Sequence, residues 1–93
     1  MAKFKIEDVK LISERNMVQI TYDVYYNERT EIDSEGEEIT KEDNQRFFKE
    51  FPKSLNTLEI KEKINQFAEE FIKEKQIEQN LKELEGFEND TEV

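Results

Sequence analysis

Residues 17–27 read MVQITYDVYYN. Val18, Ile20, Tyr22, Val24 and Tyr26 alternate with Gln19, Thr21, Asp23, Tyr25 and Asn27. A period of two places the two sets on opposite faces of a β-strand, and β-branched and aromatic side chains suit a pleated surface. One face is apolar, and the other is polar except for Tyr25. A strand buried on one side only implies an antiparallel sheet with a single covered face.

Upstream, residues 3–12 (KFKIEDVKLI) form a second strand. Phe4 and Ile6 have one parity, Val9 and Leu11 the other, so a bulge at Glu7-Asp8 is needed to bring all four to one face. The short polar link Glu14-Arg15-Asn16 makes the pair an antiparallel hairpin. With Arg15-Asn16 as the turn, Leu11 faces Ile20 and Val9 faces Tyr22.

Downstream, QRFFKEF at 45–51 leads into Pro52 and ends a third strand, about 39–51. Residues 28–43 hold eight acids and two bases, net −6, with one turn signal, Ser34-Glu35-Gly36. A two-residue turn at Glu35-Gly36 sets Phe47 opposite Val24, Phe51 opposite Ile20 and Ile39 opposite Ile32. On the other face, Tyr25 falls beside Arg46 and Asp23 beside Phe48. The expected sheet is a three-stranded meander with residues 17–27 in its centre and a loosely held acidic tip.

A helix is expected over 57–85. Asn56 is its N-cap, Glu59 completes a capping-box pair, and Leu55 with Ile60 forms a hydrophobic staple. Gly86 fits the position just beyond the end, with Phe87 folding back on Leu81. Twenty-nine helical residues span about 43 Å, so the helix is expected to outrun a short-stranded sheet. The fold class is α+β: the meander with a long C-terminal helix packed on one face. One domain covers residues 1–87, and 88–93 form an acidic, disordered tail.

Ile60, Ile64, Phe67 and Phe71, with Ala68 and Ile72, make one apolar stripe for the sheet. Ile77, Leu81 and Leu84 make a second, roughly 135° around the helix. Either the helix bends or breaks near 73–76 and buries this stripe on its own domain, or the stripe meets another chain. The contact reading is preferred, because little apolar surface elsewhere could receive it. Ile77, Leu81 and Leu84, together with Tyr25 and Phe48 on the open sheet face, are the expected interaction residues.

Composition limits the chemistry. The 93 residues include 14 basic and 24 acidic side chains, net −10, and no His, Cys or Trp. That removes Cys–His and Ser–His nucleophiles, zinc, haem or iron–sulfur sites of ordinary ligand type, and disulfides. No metal, cofactor or catalytic residue is expected, and the chain is read as not an enzyme. Asp33-Ser34-Glu35-Gly36-Glu37-Glu38 fails as a calcium loop because its Gly stands fourth instead of sixth. The charge disfavours direct nucleic-acid and anionic-membrane binding. No apolar run approaches the roughly 20 residues of a membrane span. The polar start Met1-Ala2-Lys3-Phe4 gives no secretion signal, so a cytoplasmic or virion-associated location is expected. Apolar residues are only 34% and charged residues 41% of the chain, which makes a small core and favours oligomerisation.

FFKEF at 47–51, Pro52, the capped helix and LKELEG at 81–86 form an order of elements that resembles small accessory and structural proteins encoded in bacteriophage tail or virion gene regions. The resemblance implies a non-enzymatic, oligomeric or accessory role and carries no site residues. The function expected is thus protein contact, with copies of itself or with another protein. The alternative is an acidic imitation of the phosphate backbone that blocks a host nucleic-acid-binding protein. Against it, Lys61, Lys63, Lys73, Lys75 and Lys82 are interspersed among the helical acids. A third reading is an adaptor whose tip folds on its partner.

Overall fold

The computed structural model describes residues 2–89. Three antiparallel strands, β1 (Lys3–Ile12), β2 (Met17–Ile32) and β3 (Glu38–Pro52), form one open sheet in the order β1-β2-β3, and the helix α1 (Thr57–Lys82) follows. The α+β meander expected from the alternation at 17–27 is the fold. Residues 90–93 of the expected tail lie outside the described residues.

The β1–β2 bulge falls between Ile6 and Asp8, where the parity of the apolar residues requires it. The register is two residues away from the expected one: Leu11 pairs with Val18 and Val9 with Ile20. A 3₁₀ turn at Ser13–Arg15, closed by Asn16 with φ +54°, takes the place of a two-residue turn. Asn tolerates this left-handed backbone better than most residues. A shift of two preserves the face of every side chain, so the apolar residues keep the face read for them, although Val9, Leu11, Ile32 and Phe67, expected on the covered side, are exposed.

Between β2 and β3, Tyr22 pairs with Phe47 and Val18 with Phe51, again two residues from expectation. Nearer the tip the offset is one, with Glu31 opposite Ile39. The cause is a bulge between Tyr26 and Arg29, where Asn27 has φ +56°, and a longer turn. Asp33 Oδ1 accepts from the backbone N–H of Glu35 and of Glu37, each at 2.9 Å, and Gly36 has φ +85°. The tip is thus a capped turn with paired strands down both sides.

The core comprises Val18, Ile20, Tyr22, Val24 and Phe51 from the sheet and Ile64 and Ala68 from α1. Phe47 and Phe71 meet edge-to-face at 5.0 Å, and Phe71 meets Tyr26 at 5.2 Å. Asn56 Oδ1 accepts from Glu59 N at 2.8 Å, which satisfies one of the orphan donors at the helix start. Leu55 and Ile60 both pack against the core.

Lengths depart from expectation. The 16 residues of β2 span about 53 Å, whereas the 26 of α1 span about 39 Å. The hairpin, and not the helix, is the longer arm. The molecule measures 66 × 45 × 21 Å with a radius of gyration of 19.3 Å, against about 12 Å for a globular chain of this length. Along its far half α1 passes beside β2, where Lys75, Glu78, Gln79 and Lys82 flank Tyr26 and Asn27. Among the described residues, no helix is long and apolar enough to cross a membrane.

Candidate interaction surfaces

Three surfaces stand open. The first is the sheet face away from α1, built in cross-strand rows: Lys3-Tyr25-Asn44, Lys5-Asp23-Arg46, Asp8-Thr21-Phe48 and Lys10-Gln19-Glu50. The two-residue register difference replaces the expected neighbours. Asp23 lies beside Arg46 instead of Phe48, and Tyr25 beside Asn44 instead of Arg46.

Asp23 is 4% exposed. Its carboxylate accepts two hydrogen bonds from the Arg46 guanidinium, Nε at 2.8 Å and Nη2 at 3.0 Å. That fork holds the Asp23 carboxyl below the usual carboxylate range. The geometry makes Asp23 the buried partner of a cross-strand ion pair on β2. Lys3 Nζ pairs with Glu42 at 2.8 Å and lies 5.5 Å from the Tyr25 ring centre. Lys5 pairs with Glu7, and Arg15 with Glu50. Tyr25 is half-buried in this lattice of charge, while Phe48 projects from it, 61% exposed.

The second surface is the far end of α1. The helix runs unbroken through residues 73–76. Ile77, Leu81 and Leu84 are 50%, 60% and 61% exposed, so their stripe does not close on its own domain. The helix ends at Lys82, three residues before the expected boundary. Leu84 N donates to Leu81 O, Glu85 N to Lys82 O and Phe87 N to Leu84 O, a run of tighter turns that leads to Gly86 at φ +80°. Phe87 does not cover Leu81 as expected; at 74% it is among the most exposed apolar side chains of the described residues.

The third surface was not singled out by sequence. Val9 and Leu11 lie on the core side of β1 yet are 55% and 66% exposed. With Ile6, Val18, Ile20, Leu55 and Ile60 they line an apolar groove of about 260 Å³ beside the first turn of α1. Periodicity assigns Val9 and Leu11 to the covered face but does not say how far the helix reaches across it. A single helix about 10 Å wide leaves this corner of β1 bare.

The hairpin arm carries its own ionic ladder. Arg29 bridges Glu31 at 3.0 Å and Asp43 at 3.2 Å, Lys41 reaches Glu31 at 3.1 Å, and Asn27 donates to Asp43 at 2.9 Å. Glu31 is held below the usual carboxylate range by Lys41 and then Arg29, and Asp43 by Asn27 and then Arg29. The Asp33 segment that resembles a calcium loop at first sight uses a carboxylate oxygen to tie its own turn.

Comparison with protein-family models, curated proteins and solved structures gave no match to this chain.

Proposed function

We propose that the chain is a non-enzymatic protein that works by protein contact, with further copies of itself or with another protein. The observation that carries this reading is the exposed Ile77–Leu81–Leu84 stripe at the far end of α1. The surface area supports it. The chain exposes 7655 Å², against about 5,700 Å² for a compact protein of 11.2 kDa. Standard interfaces remove about 800 Å² from each partner, so the surface beyond that of a compact chain offers ample area. Phe48 and Tyr25 provide a second contact region on the open sheet face. An accessory or structural role in a phage virion is the setting that the resemblance of 47–51 and 81–86 implies.

The test is absolute mass in solution by light scattering on a sizing column, at low and moderate salt. Self-association above 11.2 kDa, lowered by Leu81→Glu with Leu84→Glu while the far-ultraviolet circular dichroism is retained, is expected. A mass that the double substitution leaves unchanged would remove the distal stripe as the contact.

A further inference from the structure

We infer that the β1 edge pairs with β1 of a second copy, antiparallel about Val9, to continue the sheet to six strands across a two-fold axis. This deepens the reading of protein contact above, rests on it, and names one partner: the chain itself.

Charge complementarity carries the inference. Four cations on the open sheet face are neutralised within the chain: Lys3 by Glu42, Lys5 by Glu7, Arg15 by Glu50 and Arg46 by Asp23. Asp8 and Lys10, on the same face of β1, take part in none of the ion pairs among the described residues. On β2 they face the neutral Thr21 and Gln19. Opposite charges two residues apart on an edge strand are self-complementary. Antiparallel pairing about the residue between them sets Asp8 against the partner's Lys10 and Lys10 against the partner's Asp8. The residue between them is Val9.

The covered side agrees. With Val9 at the axis, the exposed Val9 side chains of the two copies face each other. Each exposed Leu11 flanks the other copy's Val9 and lies opposite its bulge residue Glu7, beside the groove that Leu55, Thr57 and Ile60 line. Bare apolar side chains on an unpaired edge are a liability that edge strands ordinarily mask with uncompensated charge or a bulge; the bulge at Glu7 confines regular pairing about Val9 to residues 8–10 of each copy. Here the unpaired charges are one of each sign, which invites a second copy instead of repelling it. A two-fold contact uses the same patch twice, as this one does.

Charge reversal is the test, read as the dimer dissociation constant by sedimentation equilibrium on the full chain. Asp8→Lys alone, or Lys10→Asp alone, is expected to weaken the dimer by on the order of tenfold to a hundredfold, since each reversal makes two attractive pairs repulsive. Asp8→Lys together with Lys10→Asp restores both pairs and is expected to recover most of the affinity. The chain has no Cys, so Val9→Cys introduces a lone thiol; mild oxidation is expected to give a covalent dimer, and Ser34→Cys at the hairpin tip to stay uncrosslinked. Failure of the paired swap to rescue, or oxidation that crosslinks Ser34→Cys and not Val9→Cys, overturns the inference. A dimer indifferent to these changes but dissolved by Leu81→Glu with Leu84→Glu overturns it while the protein-contact reading stands. A chain monomeric at every concentration overturns self-pairing outright.

Discussion

Two isoleucines on one helix separate what holds the monomer together from what it offers to others. Ile64 is fully buried in the seven-residue core, and Ile77 is half exposed beyond it. Ile64→Ala removes three carbons, which at about 0.8 kcal/mol each comes to about 2.4 kcal/mol of lost transfer free energy. If roughly 40 Å³ of the space stays open, the cavity adds about 1 kcal/mol. Alanine's better helix propensity returns about 0.4 kcal/mol. The expected loss is thus about 3 kcal/mol, out of a total of roughly 5–14 kcal/mol for a chain of this length. At about 4–8 °C per kcal/mol the midpoint should fall by roughly 12–24 °C. Ile77→Ala loses only half of the transfer free energy, about 1.2 kcal/mol, with the same propensity gain and no enclosed cavity. Its expected effect is below about 1 kcal/mol. Urea unfolding followed by circular dichroism, at two protein concentrations about a hundredfold apart, gives both values and their dependence on association. Two results would refute the reasoning: a loss under about 1 kcal/mol for Ile64→Ala, or an Ile77→Ala loss equal to that of Ile64→Ala at the lower concentration. The second would mean that the helix end packs on its own domain.

Other consequences follow from named contacts. Asn56→Ala removes the side-chain acceptor for Glu59 N and should lower stability by about 1 kcal/mol, with faster amide exchange confined to the first turn of α1. Asp33→Ala removes the acceptor for two backbone N–H groups; amide exchange at Glu35 and Glu37 should quicken while the β1–β2 amides keep their protection. The carboxyls of Asp23, Glu31 and Asp43 are all lowered by hydrogen bonds and cations. The stability they contribute is therefore present above the ordinary carboxylate range, near pH 4, and is lost as pH falls through their lower folded values. Acid titration of Asp23→Asn should show a flatter loss than the parent; an identical acid limb would mean that the Arg46 fork contributes nothing.

The fold was legible because the alternation at 17–27 is strong and parity survives error. Both hairpin registers slid by two residues at their base, yet Val18, Ile20, Tyr22, Val24 and Phe51 still reached the core, because a shift of two turns no side chain over. The bulge at Glu7 was legible for the same reason: without it Phe4 and Ile6 could not share a face with Val9 and Leu11. The neighbours on the open face were not legible. Which residue faces Asp23 depends on turn length, and turn length depends on Asn16 and Asn27 adopting left-handed backbone and on Asp33 capping two amides. No periodicity encodes those. Helix phase marked the Ile77–Leu81–Leu84 stripe, but the bare corner at Val9 and Leu11 follows from where a helix crosses a sheet, a tertiary property.

The acidic composition favours a phosphate-backbone imitation only until the charges are traced. Imitation needs carboxylates free and regularly spaced along a rigid surface. On the hairpin arm Glu31 and Asp43 are tied to Arg29 and Lys41, Asp33 to its own turn, and Glu42 to Lys3. Glu28, Glu35, Glu37 and Glu38 remain outside the ion pairs among the described residues, a short cluster about the turn with apolar surfaces elsewhere that charge does not cover. A net charge of −10 also opposes the approach of two copies, through a long-range repulsion that salt screens. Apolar burial at Val9 and Leu11 and close charge pairs at Asp8 and Lys10 act at contact, where they outlast that screening. Added salt should therefore strengthen self-association over the range in which screening of the net charge dominates, the opposite of the steep weakening that binding by phosphate imitation requires.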